Sequence, residues 1–340
     1  MALDPQHPAE AFRLPPVAEI IRDNILKYGN PLGFKGRETA AWAKGLDLPR
    51  QGPVLFYTGG EYQLLPYIDA LLDLLTKVNQ EGVGFSLMLG VRQWMDRLGV
   101  NPEKLVAKAR SRDKDRYFEV VRKAALLLRQ AGVEICYLGE EEIYSGALLY
   151  EYGFVADLAR YAARLVELIR STGARTIVCL SPHAAEVLKL VYPRLLGDFA
   201  YEVKVLAEVL VERGEFLPLP KDSGFSGPVT VQDPCRLARE LGVAEELRTL
   251  IRRFSRARLV EPKLNRRWTT CCGGPGKVLF PKLSAKIAFR RLAELADTGA
   301  EVVLTFCPYC LAALQYGRNA ECSGLRIEDF TEFLYREVTL

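Results

Sequence analysis

The chain has 340 residues, about two domains at roughly 150 residues each. Apolar residues make up 49% and charged ones 26%, ordinary for a globular chain that buries a core, and the net charge of +4 is too close to balance for a nucleic-acid binder. No run of 18 apolar residues occurs, and the first 30 residues lack the charged start, apolar core and cleavage site of a signal peptide, so the expectation is a cytoplasmic protein without a transmembrane helix.

Residues 1–51 read as an N-terminal arm. A Pro-rich start leads into a helical pattern near Val17–Lys27 and a turn-rich stretch at Gly29–Gly33. Val54–Tyr57 is a short apolar run ending at Gly59-Gly60, which suits a buried strand. Leu64, Leu65, Ile68, Leu71, Leu72 and Leu75 follow at helical spacing. Apolar runs at Phe85–Leu89, Val133–Leu138 and Thr176–Leu180 alternate with helical patterns, of which Val155, Leu158, Ala162, Leu165 and Ile169 are the clearest. The segment Glu212–Pro228 reads as a linker. Beyond it come a strand at Val229–Val231, a helix at Leu247–Phe254, a helical stripe at Ala288, Leu292 and Leu295, a strand at Val302–Leu304, and a closing helix at Ile327–Tyr335. Strands alternating with helices predict an α/β fold with largely parallel sheets.

The second half reads as a repeat of the first. Gly52-Pro53-Val54 pairs with Gly227-Pro228-Val229, which sets Gly60 opposite Cys235. Ala174–Ala184 pairs with Ala300–Cys310, Tyr144-Ser145-Gly146 falls opposite Cys271-Cys272-Gly273, and Val203–Val209 matches Ile327–Phe333. Positions 60 and 144 lie 84 apart but 235 and 271 only 36, so a mostly helical insertion of about 48 residues is placed near 88–130. The predicted division is 1–51 for the arm, 52–222 for one α/β unit and 223–340 for the other.

Eight cysteines occur, none before Cys136, and five fall between Cys235 and Cys310. Such clustering in a long chain without an export signal points to metal or redox chemistry rather than disulfides. Cys235, Cys271-Cys272 and Cys307-x-x-Cys310 each follow a predicted strand or precede a helix, at the strand ends where ligands collect in parallel sheets. Thiolates select zinc, copper(I) or iron–sulfur clusters. A structural zinc takes four ligands, usually from two Cys-x-x-Cys pairs, whereas here one pair is adjacent and a fifth thiol is left over. A multi-iron cluster accommodates that set better; zinc and a thiol–disulfide site stay open. Gly273, Gly274 and Gly276 leave room for backbone amides to approach sulfur.

Cys235, Cys271-Cys272-Gly273 and Cys307-x-x-Cys310 together resemble the cysteine-rich CCG domain of heterodisulfide reductase B and D subunits and related iron–sulfur oxidoreductases. Members of that family usually carry two such domains in tandem. The resemblance implies two pseudo-twofold-related α/β domains of CCG type, and one noncubane [4Fe-4S] cluster ligated by Cys235, Cys271, Cys272, Cys307 and Cys310. The equivalents in the first half, Gly60, Tyr144, Ser145, Ser181 and Ala184, supply no thiolate, so the first domain is a degenerate one without a cluster. Asn30–Trp42 resembles the segment that follows a ferredoxin module in fused D-type proteins. The ferredoxin cysteines are missing here, so the resemblance implies a separate ferredoxin-like (C-type) subunit; with one cluster in place of two it also implies a second B-type subunit, and the reductase reading a flavoprotein subunit, as partners. The function implied is electron transfer to or from a thiol, disulfide or sulfur substrate in a heterodisulfide-reductase-like complex, an oxidoreductase activity expressed only within the complex. Alternatives are a relay subunit of a lactate- or glycerol-phosphate-type dehydrogenase and a zinc scaffold without enzymatic activity.

Among the remaining residues, His183 reads as a remnant of the family's Cys-Pro-His-Cys loop rather than a proton donor. His7 is given no role. Cys136 and Cys179 read as core and Cys322 as a surface thiol. Arg236, Arg266, Arg267 and Lys277 read as a solvated basic face, and Glu140–Glu142 as solvated.

Overall fold

The computed structural model describes residue 14 and residues 16–68, 114–220, 224–321 and 324–339. The expectations at His7, Leu71–Leu75, Phe85–Leu89 and Cys322, and the first part of the insertion, lie outside these residues. Within the described residues, Lys114–Gln130 forms a helix that buries Tyr117, Val120, Val121, Ala124, Leu127 and Leu128.

Two four-stranded parallel sheets organise the chain. The first comprises β1 (Val54–Tyr57), β2 (Ile135–Cys136), β3 (Thr176–Cys179) and β4 (Glu202–Val205) in the order β2-β1-β3-β4. The second comprises β5 (Pro228–Gln232), β6 (Arg258–Leu259), β7 (Val302–Thr305) and β8 (Arg326–Asp329) in the order β6-β5-β7-β8. The order is the same in both, and every pairing is parallel. Leu55, Phe56 and Tyr57 in β1 and all four residues of β7 are buried, the continuous apolar reading that a parallel strand covered on both faces requires. These are the tandem, pseudo-twofold-related α/β domains that the repeat predicts.

The helices follow the same pairing. In the first half, α1 (Pro16–Tyr28) packs Ile21 and Ile25 into the core, and α2 (Val155–Ser171) buries Leu158, Ala162, Leu165 and Ile169, the stripe read from the sequence. In the second, α3 (Glu245–Phe254) and α4 (Pro281–Ala296) cover the sheet, and α5 (Pro308–Glu321) leaves the end of β7. Gly146 and Gly273, paired by the repeat, are both left-handed, with φ of 81° and 78°. A Cβ at Gly146 would strike α2 at Leu158 Cδ1 (2.7 Å), and one at Gly273 would strike α4 at Ser284 O (2.9 Å).

One element departs from expectation. Ile327–Tyr335 is not a single helix: Arg326–Asp329 is β8, paired along its length with β7, and the helix α6 runs only over Phe330–Thr339. Pairing with a neighbour distant in sequence overrides the helical spacing of Ile327, Phe330 and Phe333. The match to Val203–Val209 survives, because that stretch also passes from strand β4 into a helix (Leu206–Glu212).

The halves are clamped face to face. Tyr62 Oη donates to Asp329 Oδ2 (2.7 Å), Arg236 Nη1 to Glu186 (2.7 Å) and Arg116 to Glu332 (2.8 Å), while the His183 and Tyr309 rings lie 4.5 Å apart. No helix among the described residues is long and apolar enough to cross a membrane.

Candidate functional site

Neighbouring strands deliver the second half's cysteines to one edge. β5 runs directly into Asp233-Pro234-Cys235, and β7 ends two residues before Cys307, which directly precedes α5 and its positive N-terminal end. The turn carrying Cys271 and Cys272 is built on close backbone approach. A Cβ at Gly274 would lie 2.7 Å from Tyr309 O, and Ser284 Oγ, on α4, donates to Gly273 O at 2.7 Å. The backbone N–H of Gly273 donates to Cys271 Sγ (3.3 Å) and that of Gly274 to Cys272 Sγ (3.4 Å), the amide–sulfur contacts that the glycines anticipate.

The five thiols form one connected chain. Cys235 lies against Cys271, Cys271 against Cys272, and Cys310 against both Cys272 and Cys307. Cys272, Cys307 and Cys310 are buried, and Cys235 and Cys271 half-buried. The bonds from Cys271 and Cys310 hold Cys272 down at about 6. Burial pushes Cys307 up, but donation from Cys310 and His183 and the His183 charge take it well below the usual thiol range. Cys235 beside Cys271, and Cys310 beside Cys272 and Cys307, are pushed up and keep their protons, with burial adding to the effect. Thiolate character is thus strongest at Cys272 and Cys307. Among the described residues, no three His, Cys, Asp or Glu side chains converge as the ligands of a single ion.

A buried ionic framework holds the strand ends that carry the thiols. Arg248, on α3, and Asp233, two residues before Cys235, both have fully buried side chains and pair bidentately at 2.6 and 2.9 Å. Asp233 Oδ2 also accepts from the Arg266 backbone N–H (2.6 Å), which ties the Cys235 loop to the approach to Cys271. Arg291, equally buried, donates to Gln232 Oε1 (2.6 Å) and to Leu264 O (3.1 Å).

The equivalent positions of the first half are closed by oxygen chemistry. Tyr144, Ser145, Ser181 and Ala184 are buried, and the carboxylate of Glu61, 2% exposed, accepts from Ser145 Oγ (3.3 Å) and from Ser181 Oγ. Burial pushes Glu61 up to about 7, against the His183 charge and the Ser181 bond.

His183 does more than its reading as a remnant allows. It is buried, its Nδ1 bonds Glu151 Oε1 (2.7 Å), and it hydrogen-bonds the thiol of Cys307 across the boundary between halves. Its repeat partner Tyr309 crosses the other way to the hydroxyl of Tyr144. Arg236 is likewise no free basic residue: it pairs with Glu151 (3.2 Å) and Glu186 (2.7 Å). Arg266 pairs with Glu245 and Glu261. Glu142 is not fully solvated, because it turns inward to accept from the Thr58 backbone N–H (3.1 Å) and hydroxyl. Cys136 and Cys179 are core residues, as read. The signal for His183 is present in the repeat, which aligns it with a residue inside the Cys-x-x-Cys loop.

Residues 229–315 match the family model described as a cysteine-rich domain, CCG. The chain is 28% identical over 214 residues to the D subunit of dihydromethanophenazine:CoB–CoM heterodisulfide reductase from Methanosarcina barkeri, covering 61% of this chain and 52% of that protein. It is 30% identical over 209 residues to the corresponding protein of Methanosarcina acetivorans, covering 60% and 51%. It is also 26% identical over 292 residues to EtfAB:quinone oxidoreductase of Syntrophomonas wolfei, covering 78% and 40%. The chain spans about half the length of the heterodisulfide reductase proteins it matches. Its second half thus carries a cysteine-rich domain of the CCG type, in a chain related to the D subunits of heterodisulfide reductase and to other iron–sulfur oxidoreductases.

Proposed function

We propose that this chain is the iron–sulfur subunit of a heterodisulfide-reductase-like complex, and that Cys235, Cys271, Cys272, Cys307 and Cys310 hold one noncubane [4Fe-4S] cluster. The observation that carries the reading is the single chain of five thiol contacts, fed by two backbone amides. Five sulfurs strung along adjacent loops, with no three gathered on a point, fit a polynuclear group better than a lone zinc. When bound, such a cluster supplies one-electron redox chemistry and an iron site for a substrate sulfur. The protein's own part is electrostatic and steric. Cys272 and Cys307 are held below the usual thiol range, His183 hydrogen-bonds Cys307, and Cys272, Cys307 and Cys310 are buried while Cys235 and Cys271 are half-buried.

In this reading residues 223–340 are the intact domain, 52–222 a degenerate one in which Glu61, Ser145 and Ser181 take the space of thiolates, and 1–51 an arm packed on the latter. One cluster per chain puts the gripping of a disulfide between paired clusters at an interface with a second B-type subunit, with a ferredoxin-like subunit and a flavoprotein exchanging electrons, all in the cytoplasm. Similarity to EtfAB:quinone oxidoreductase over 78% of the chain favours, as a second reading, a relay subunit of another flavin-linked dehydrogenase. A zinc scaffold is separated from both by colour. Cys271→Ala and Cys179→Ala proteins, purified without oxygen, test the ligand set. The first loses the visible absorbance and the second keeps it; loss in both, or retention in both, refutes the assignment.

A further inference from the structure

From Pro262 to Ala293, around the Cys-Cys-Gly turn, the sequence holds eight Lys and Arg and no Asp or Glu. Removing those eight leaves 38 basic against 42 acidic residues, so the rest of the chain is net −4 and this segment carries the whole positive excess. Exposed apolar side chains concentrate in the same place. Of the ten large ones among the described residues, six are Leu264, Trp268, Phe280, Leu283, Phe289 and Tyr316; Trp268 is 70% and Leu283 56% exposed.

Helix α4 displays several of these residues together. On α4 the buried residues are Ser284, Ala288, Arg291, Leu292 and Leu295, and the outward positions are Lys282, Leu283, Lys286, Phe289 and Arg290, at spacings of three and four. Phe280 precedes them, and Lys277 sits 5.2 Å from the ring of Tyr316 on the adjoining α5. The bond from Ser284 to Gly273 fastens the start of this helix to the turn carrying half-buried Cys271. Among the described residues Lys282, Lys286 and Arg267 form no ion pair, whereas Arg266 and Arg291 are spent on acidic neighbours.

We propose that the outer face of α4, with Phe280 and Trp268, is the docking surface for an acidic electron-carrier protein that exchanges electrons with the thiol-bound centre. The inference rests on the proposed function and gives its partner a place. Cations alone suit any anion, but aromatic and aliphatic side chains interleaved with them suit a protein surface, where apolar contact supplies affinity and charge supplies orientation and on-rate. A small anionic substrate would leave Trp268, Leu283 and Phe289 unused, and a nucleic acid would favour a face without Leu283 and Phe289 at its centre. Electron-transfer encounters are small and transient, so one helix face with flanking loops suffices.

The test uses the full chain and an acidic plant-type [2Fe–2S] ferredoxin as probe. Retention on immobilised ferredoxin is measured first and needs no cluster in this protein. Stopped-flow reduction of the coloured protein by reduced ferredoxin follows, with reduced methyl viologen as a small cationic control. Lys282→Glu/Lys286→Glu is expected to abolish retention and slow ferredoxin reduction at least tenfold, without slowing reduction by viologen. Leu283→Ser/Phe289→Ser is expected to weaken retention at salt that screens the charges. Retention or rates unchanged by either pair, no retention of wild type, or tighter binding of duplex DNA than of ferredoxin at physiological salt overturns the docking face. A colourless wild-type protein that still binds ferredoxin through this face overturns the proposed cluster and leaves the docking assignment standing.

Discussion

Arg248 makes the framework beneath the candidate site directly testable. Its guanidinium donates twice to Asp233 (2.6 and 2.9 Å), twice to Glu261 (2.8 and 2.9 Å) and once to Ala244 O (2.9 Å). Arg248→Met keeps most of the apolar stem and removes all five bonds. Glu261 is partly exposed and regains water, but Asp233 is fully buried and keeps only the Arg266 N–H and whatever solvent enters. Stranding one member of a buried pair costs about 3–5 kcal/mol, and the surviving bond places this case near 3 kcal/mol. Asp233→Asn/Arg248→Met removes the stranded charge and is expected to recover more than half of that loss. Equilibrium urea unfolding of the three proteins measures both quantities, and metal content reports whether the Cys235 loop still holds its place. A single variant within 1 kcal/mol of wild type, or a double variant no more stable than the single, refutes the claim that this charge pair fixes the strand end.

Burial pushes Glu142 up to about 8, Glu61 to about 7 and Asp329 to about 7. Each native state therefore holds a proton that the unfolded chain releases above about pH 4.5, so stability is full below that pH and falls as pH rises through 7–8. Glu142→Gln is expected to flatten part of this decline, by up to about 4 kcal/mol at pH 8.5, in unfolding titrations at pH 5 and pH 8.5; an unchanged slope contradicts it. At His183, Gln places an amide where Nε2 stands and keeps a donor for Cys307, whereas Asn keeps only the partner of Glu151. His183→Asn is expected to lower the reduction potential of the bound centre relative to both wild type and His183→Gln, and equal potentials in all three contradict the donor role. Gly274→Ala pushes a Cβ to 2.7 Å from Tyr309 O and is expected to destabilise by about 1–3 kcal/mol with loss of metal. Gly276→Ala, with no atom within 4 Å, is the neutral control in the same unfolding assay.

The duplication is legible because both copies reuse the same short landmarks. Gly52-Pro53 and Gly227-Pro228 mark the starts of the central strands, and Ala174 and Ala300 precede the strands leading to Ser181 and Cys307. The clustering of the thiols is legible in the sequence, since five of the eight cysteines fall between Cys235 and Cys310 at loop-and-helix junctions, whereas reading them as one ligand set takes the resemblance to the CCG domain. What the pattern hides depends on how the halves meet. His183 gains its importance from packing against Tyr309 and Cys307, more than 120 positions away, and no local period reports that. Glu142 sits in a run of three acids that reads as solvated; only the fold shows it accepting from Thr58 just beyond β1. The first residues of Ile327–Tyr335 read as helix for a related reason, since β7 makes them a strand and their own periodicity does not.

The most direct check is the inorganic content of the chain, purified without oxygen and assayed for iron, acid-labile sulfide and zinc per polypeptide. The account predicts about four irons and four sulfides with no zinc. One zinc without sulfide, or about eight irons from a second cluster lodged beside Glu61, would contradict it.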